Sequence, residues 1–130
     1  MILASGCFDG LHAGHVAYLE AARALCEHEE VLVVAIAPDH YIEKAKGRVP
    51  YWTQEARRQT VSAVCYVDAA IGQTSTSVCQ TIRDFRPRIF VKGPDWQDAL
   101  PEAITLACQQ TGTAIAFVQT PGTHTHEAHG

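Results

Sequence analysis

Short apolar runs alternate with amphipathic stretches along the whole chain, and the alternation predicts a β-α-β order. Residues 1–5 read as an apolar strand that stops at Gly6. The turn 6–10 follows, with Gly6 and Gly10 available for positive φ. From His12, the positions Val16, Leu19, Ala22, Ala24 and Leu25 keep a helical spacing that fades in the charged stretch 27–30. Residues 31–37 are uninterrupted aliphatic positions, the pattern of a strand covered on both faces in a parallel sheet, and Pro38 ends it. One or two helical turns over 39–44 lead into a loop over 47–52, after which Thr53 can N-cap a helix over 54–63. A short strand is expected at 65–67, and polar turn residues at 72–77 run into a helix from Ser75 or Thr76 to Phe85. Strand 88–92, loop 93–96, a helix opened by Pro101 and stopped by Gly112, and a last strand 113–118 complete the order.

Strands alternating with helices across short connections predict a single α/β domain. The expected architecture is a Rossmann-like, doubly wound, five-stranded parallel sheet with helices on both faces, spanning 1–122, with a polar tail at 123–130. Ligands of such sheets sit beyond the carboxyl ends of the strands, at the switch point. The turns 6–12 and 93–96 both open on that edge.

Composition narrows the partners. The chain has 130 residues, 47% of them hydrophobic, and a net charge of −4. That balance suits a compact core and gives no basic stripe for nucleic acid. The local cluster Lys44, Lys46 and Arg48 suits a phosphate group instead. The longest apolar run is too short to cross a membrane, and there is no basic leader segment. Five scattered cysteines without a C-x-x-C pair read as reduced, buried thiols of a cytoplasmic protein.

The chemistry concentrates in residues 6–15, where a strand gives way to a helix. His12 and His15 lie three apart around Gly14, a spacing that turns both toward one side of the first helical turn. A helix start offers unpaired N–H groups and partial positive charge, two imidazoles add donors, and Gly14 lets a ligand approach the backbone. Such an anion site suits a triphosphate, and phosphoryl or nucleotidyl transfer on one needs charge stabilisation and alignment more than a protein nucleophile. Cys7, in the same turn, is therefore expected to offer its backbone rather than its thiol.

This segment closely resembles the G-x-F-D-x-x-H-x-G-H signature of the cytidylyltransferase-like nucleotidyltransferases. The run 12–25 is most similar to the adenylyltransferase domain of ADP-heptose synthases, and next to glycerol-3-phosphate cytidylyltransferases. The resemblance implies that His12, His15 and Lys46 carry catalysis, with Lys46 neutralising phosphate charge. It implies that Cys7, Phe8, Asp9, Gly14, Gly93 and Asp95 hold the nucleotide, together with Thr123 and Thr125. It places Lys44, Arg57 and Trp96 at the acceptor. The Glu55-x-Arg57 pair resembles a family motif, although two such charges can equally lie apart on a surface helix. Residues 91–96 resemble V-K-G-G-D-Y of the heptose type and V-M-G-D-D-W of the glycerol-phosphate type. Trp96 could also be a core aromatic, and Lys92 plain surface charge. The likeness departs at Gln119, where an arginine is common. The histidines 124, 126 and 129 fit no metal-site spacing and read as an exposed tail.

The implied activity transfers AMP from ATP to a sugar phosphate such as a heptose 1-phosphate, releasing pyrophosphate, with Mg²⁺ on the phosphates. CMP transfer from CTP to glycerol 3-phosphate is the alternative within that chemistry, and a flavin-type adenylyltransferase is a third. A non-catalytic nucleotide-binding module is the alternative from another class. The resemblance also implies a homodimer. Class I aminoacyl-tRNA synthetases share H-x-G-H, but 130 residues of acidic balance leave no surface for tRNA.

Overall fold

In the computed structural model, which describes residues 1–119, five strands form one parallel sheet in the order β3-β2-β1-β4-β5. They are β1 (Ile2–Gly6), β2 (Leu32–Ile36), β3 (Ala69–Gly72), β4 (Ile89–Lys92) and β5 (Ala114–Phe117). Between them lie α1 (Ala13–Arg23), α2 (Asp39–Lys46), α3 (Gln54–Ser62), α4 (Cys79–Phe85) and α5 (Glu102–Thr111), with a 3₁₀ turn over Pro94–Trp96.

The period of two along each strand divides the core into two layers. Ile2, Ala4, Leu32, Val34 and Ile36 face Leu19 and Ala22 of α1 and Val61 of α3. Leu3, Val33, Ala35 and Phe90 face Ile82 of α4 and Ile104, Ala107 and Cys108 of α5. Every residue of β2 is buried, as its continuous apolar run predicts. The chain winds outward from β1 through β2 to β3, then returns to place β4 on the other side of β1. The crevice between the β1 and β4 ends is therefore the switch point.

Several expected boundaries move for local reasons. Residues 65–67 form turns, with Val67 N–H bonded to the Val64 carbonyl, and the third strand lies at Ala69–Gly72. Pairing with β2 makes a strand of an alanine pair that intrinsic preference would not choose. Helix α4 starts at Cys79 because Ser75 Oγ accepts from Ser77 N–H and Ser77 Oγ accepts from Cys79 N–H. These local bonds compete with helix formation. In α1, Val16 is exposed and Leu19 and Ala22 are the buried positions, while Ala24, also exposed, caps the helix's C-terminus. All five cysteines are free, but only Cys79 and Cys108 are buried, and Cys65 is exposed. Among the described residues, no helix is long and apolar enough to cross a membrane.

Candidate active site

The turn between β1 and α1 is built by steric exclusion as much as by glycine flexibility. Phe8, not Gly6, takes the left-handed conformation, at φ 52°, and its ring is buried. A Cβ on Gly6 would lie 2.8 Å from that ring, so Gly6 is required for space rather than for positive φ. Gly10, at φ 96°, does use the freedom expected of it. The cost of placing a non-glycine residue at positive φ is borne at the floor of a cleft, where such conformations recur in functional sites.

Phe8 in turn seats the histidines. Its ring centroid is 5.2 Å from that of His15, and the His12 and His15 rings stack with centroids 3.8 Å apart and planes 25° from parallel. The two imidazoles cap α1 reciprocally. His12 Nδ1 accepts from Gly14 N–H at 3.0 Å, and His15 Nδ1 accepts from His12 N–H at 3.2 Å. With both Nδ1 atoms acting as acceptors, the hydrogen-bond pattern assigns the ring proton of each neutral imidazole to Nε2. Both rings border one cleft. Gly14 is indispensable to the stack, because a Cβ there would sit 2.9 Å from His12 Cε1.

Burial pushes the His15 imidazole down to about 4, and the neighbouring His12 and Lys46 charges push the same way. His15 is therefore a neutral donor at physiological pH. As pH falls below its ordinary value of 6.5, the unfolded chain takes up this proton before the folded chain does. The stability contribution is present above 6.5 and is lost between there and about 4. NMR titration of the imidazole is expected to give a midpoint near 4, and the denaturant midpoint should fall more steeply over that window in the native chain than in His15→Asn.

The cleft encloses about 850 Å³ over the carboxyl ends of the strands. Lys44 and Lys46, exposed in the last turn of α2, overhang one side of it. Gly93, Asp95 and Trp96 form the opposite side. A Cβ at Gly93 would meet nothing within 4 Å, so a ligand can come directly against the backbone there. Trp96 is half-buried at the cleft wall and is not a core aromatic. Cys7, also half-buried, borders the same space.

Two residues expected at the ligands are hydrogen-bonded within the protein. The Arg57 side chain is fully buried and does not border the cleft. Its Nε donates to the Trp52 carbonyl at 3.0 Å, Nη1 to the Cys7 carbonyl at 2.8 Å and Nη2 to Asp39 Oδ1 at 2.7 Å. The guanidinium is thus a clamp joining the turn after β1, the start of α2 and the loop before α3. Glu55 points away from it and pairs with Arg58.

Asp9 borders the cleft, but its carboxylate is committed to the protein. It accepts from Arg48 Nη1 at 2.8 Å and from the backbone N–H groups of Tyr51 and Trp52 at 2.9 and 3.0 Å. Burial raises its pKa, but the Arg48 and backbone hydrogen bonds outweigh this and hold it below the ordinary carboxylate value. Asp9 therefore ties loop 47–52 to the turn rather than offering a free acceptor to a nucleotide. The same bond removes Arg48 from the basic cluster expected at the phosphates.

Sequence reasoning left several residues of the cleft unassigned, Tyr18 and Lys92 among them. Tyr18 donates from its hydroxyl to the Val91 carbonyl at 2.8 Å, tying α1 to the end of β4 across the switch point. Burial raises its phenol pKa far above the ordinary value. Its place one turn after His15 was a legible signal. Lys92, left open as surface charge, lies in the cleft with its ammonium 4.3 Å from the centroid of the Trp96 ring. Thr123 and Thr125 lie outside the described residues.

The Cytidylyltransferase-like family model matches residues 3–122. The chain belongs to the cytidylyltransferase-like family. This cytidylyltransferase-like chain is 36% identical over 98 residues to the Bifunctional protein HldE of Coxiella burnetii, covering 75% of the chain but 20% of that protein. It is 40% identical over 94 residues to the FAD synthase of Methanopyrus kandleri, covering 72% of the chain and 62% of the relative. With the FAD synthase of Pyrococcus horikoshii it shares 31% identity over 121 residues, 92% of the chain and 79% of the relative. The chain thus spans about a fifth of one kind of curated relative and 62% to 79% of the other. The lipopolysaccharide core biosynthesis protein of Thermoplasma volcanium superposes with a TM-score of 0.73 at 26% identity, covering 92% of this chain and 94% of that one. The family is one of nucleotidyltransferases, and the fold is shared with the Thermoplasma protein.

Proposed function

We propose that this chain transfers AMP from ATP to a sugar phosphate of the heptose 1-phosphate kind and releases pyrophosphate. The observation that carries the reading is the stacked imidazole pair at the start of α1, with both Nδ1 atoms held by backbone and both rings on the cleft. Each ring is left one donor, Nε2–H, fixed before any substrate arrives. Donors organised in advance act where charge builds up in the transition state. The acceptor's phosphate oxygen attacks the α-phosphorus in line and the bond to pyrophosphate breaks. His12 and His15 donate to the phosphate oxygens, and Lys46 offsets the charge on the departing group. An acceptor phosphate is anionic at neutral pH, so no protein base is required.

Among the described residues, no cluster of three metal-ligating side chains forms. The cleft offers imidazole and ammonium groups; of its two carboxylates, Asp9 is already bonded within the protein and Asp95 stands alone and exposed on the wall. Mg²⁺ fits here as an ion carried on substrate phosphates, the usual manner of its binding at nucleotides, and not as one held by a protein cage.

ATP as donor draws support from both kinds of relative. The acceptor rests on the likeness to HldE and on the heptose-type Val91–Lys92–Gly93 sequence. A second reading, adenylylation of a flavin phosphate, is favoured by the 79% coverage of the Pyrococcus FAD synthase. A pyrophosphate-release assay separates these. ATP with heptose 1-phosphate should turn over faster than ATP with FMN or CTP with glycerol 3-phosphate. Preference for FMN would overturn the sugar-phosphate reading, and nucleotide binding without turnover on any pair would make the chain a binding module.

A further inference from the structure

Lys92 closes β4 at the switch point, where β4 pairs with β1 on one side and with β5 on the other. It rises from the floor of the crevice, whereas Lys44 and Lys46 overhang from α2. Among the described residues, Lys92 has no carboxylate partner within ion-pair distance. The nearest thing to a counter-charge is the face of the Trp96 indole, 4.3 Å from Nζ to the ring centroid. An aromatic face attracts an ammonium, but far less strongly than a phosphate does.

We propose that Lys92 is a substrate-phosphate ligand whose ammonium exchanges the Trp96 indole face for a phosphate, freeing that face to stack on the nucleotide base. The inference rests on the nucleotidyltransferase reading of the cleft and adds to it a coupling between phosphate capture and base binding. Both partners border the cleft, and Gly93 between them leaves the backbone open. Aromatic faces hold bases by stacking. A nucleotide would thus engage the floor amine and the wall indole in one event.

The amine is suited to the exchange. Burial pushes its pKa down to about 8, partly offset by Cys7. An arriving phosphate would restore its full charge. The titratable groups bordering the same cleft are Cys7, His12, His15, Tyr18, Tyr41, Lys44, Lys46, Asp9 and Asp95.

The chain has two tryptophans, Trp52 and Trp96, so Trp52→Phe leaves Trp96 as the sole reporter. In that background, inorganic pyrophosphate should change the Trp96 emission, and the added change Lys92→Met should abolish the response. Pyrophosphate affinity should fall about ten- to a hundredfold, the loss expected for hydrogen bonds from a charged group. Lys92→Arg should keep most of the affinity. Raising the pH through 8 should weaken pyrophosphate binding in the lysine protein but not in the arginine protein, although Cys7 is present in both. Lys92→Gln serves if the methionine variant does not fold.

Titrations with a non-hydrolysable ATP analogue and with a heptose 1-phosphate identify which substrate supplies the phosphate, by which of the two is weakened in Lys92→Met. Unchanged affinity for both, or the same Trp96 response with methionine at 92, would overturn the proposal while leaving the nucleotidyltransferase reading of the cleft in place. If the unsubstituted chain bound neither pyrophosphate nor nucleotide, the reading of the cleft itself would fail instead.

Discussion

Replacing His15 with alanine is expected to slow pyrophosphate release by about a hundred- to a thousandfold, the usual loss when one organised transition-state donor is removed. The side chain has two tasks that the substitution removes together. Its Nε2–H borders the cleft where the phosphates are proposed to bind, and its Nδ1 accepts the His12 N–H that would otherwise be an unpaired donor at the start of α1. Loss of the cap alone costs about 1 kcal/mol of stability. His15→Asn separates the two tasks, because the shorter amide can still accept from His12 N–H but cannot reach as far as Nε2. The asparagine protein should recover the thermal stability of the native chain and remain nearly as slow as the alanine protein. Recovery of the rate in His15→Asn, measured at saturating substrates, would show that the imidazole serves only as a cap and would remove the central support for the proposed mechanism.

The same pair shows what could be read directly from the chain. A strand, a glycine turn and a helix with two histidines at a separation of three carry enough constraint to predict both imidazoles on one side of the first helical turn, and both border the cleft. The parallel sheet was legible for a similar reason, since an unbroken aliphatic run such as β2 has only one stable environment, covered on both faces. Side chains whose roles depend on distant partners were not legible. Asp9 and Arg57 stand inside motifs that imply ligand contact, yet their partners lie 39 to 43 and 5 to 50 residues away in the chain. No periodicity records such pairings. Lys92 was ambiguous because sequence shows that a strand ends but not which neighbours flank the end. Its position beside β1 follows from the β3-β2-β1-β4-β5 order alone. The third strand was misplaced because neighbouring β2, and not its own alanines, makes it a strand.

Arg57→Met should destabilise the fold by about 3 kcal/mol, within the range for removing one member of a buried charged cluster. The Asp39 side chain is 41% exposed, so water can take over that partner and the full penalty of stranding a carboxylate does not apply. The greater loss is at the carbonyls of Cys7 and Trp52, which both accept from this guanidinium. An ordinary net hydrogen bond to a charged donor contributes about 1.5–3 kcal/mol. For a chain of this length the change corresponds to a drop in Tm of roughly 10 °C. Lysine cannot substitute, since a single ammonium cannot span three acceptors arranged for a planar fork. Activity should fall as well, measured well below the new Tm, because the clamp joins the turn bearing His12 to the loop that Asp9 also holds. A lower kcat with little change in the acceptor KM is the signature of that loosened turn. A native Tm together with a raised acceptor KM alone would instead return Arg57 to the substrate, as its sequence motif first implied, and would require the guanidinium to leave its three present partners during turnover.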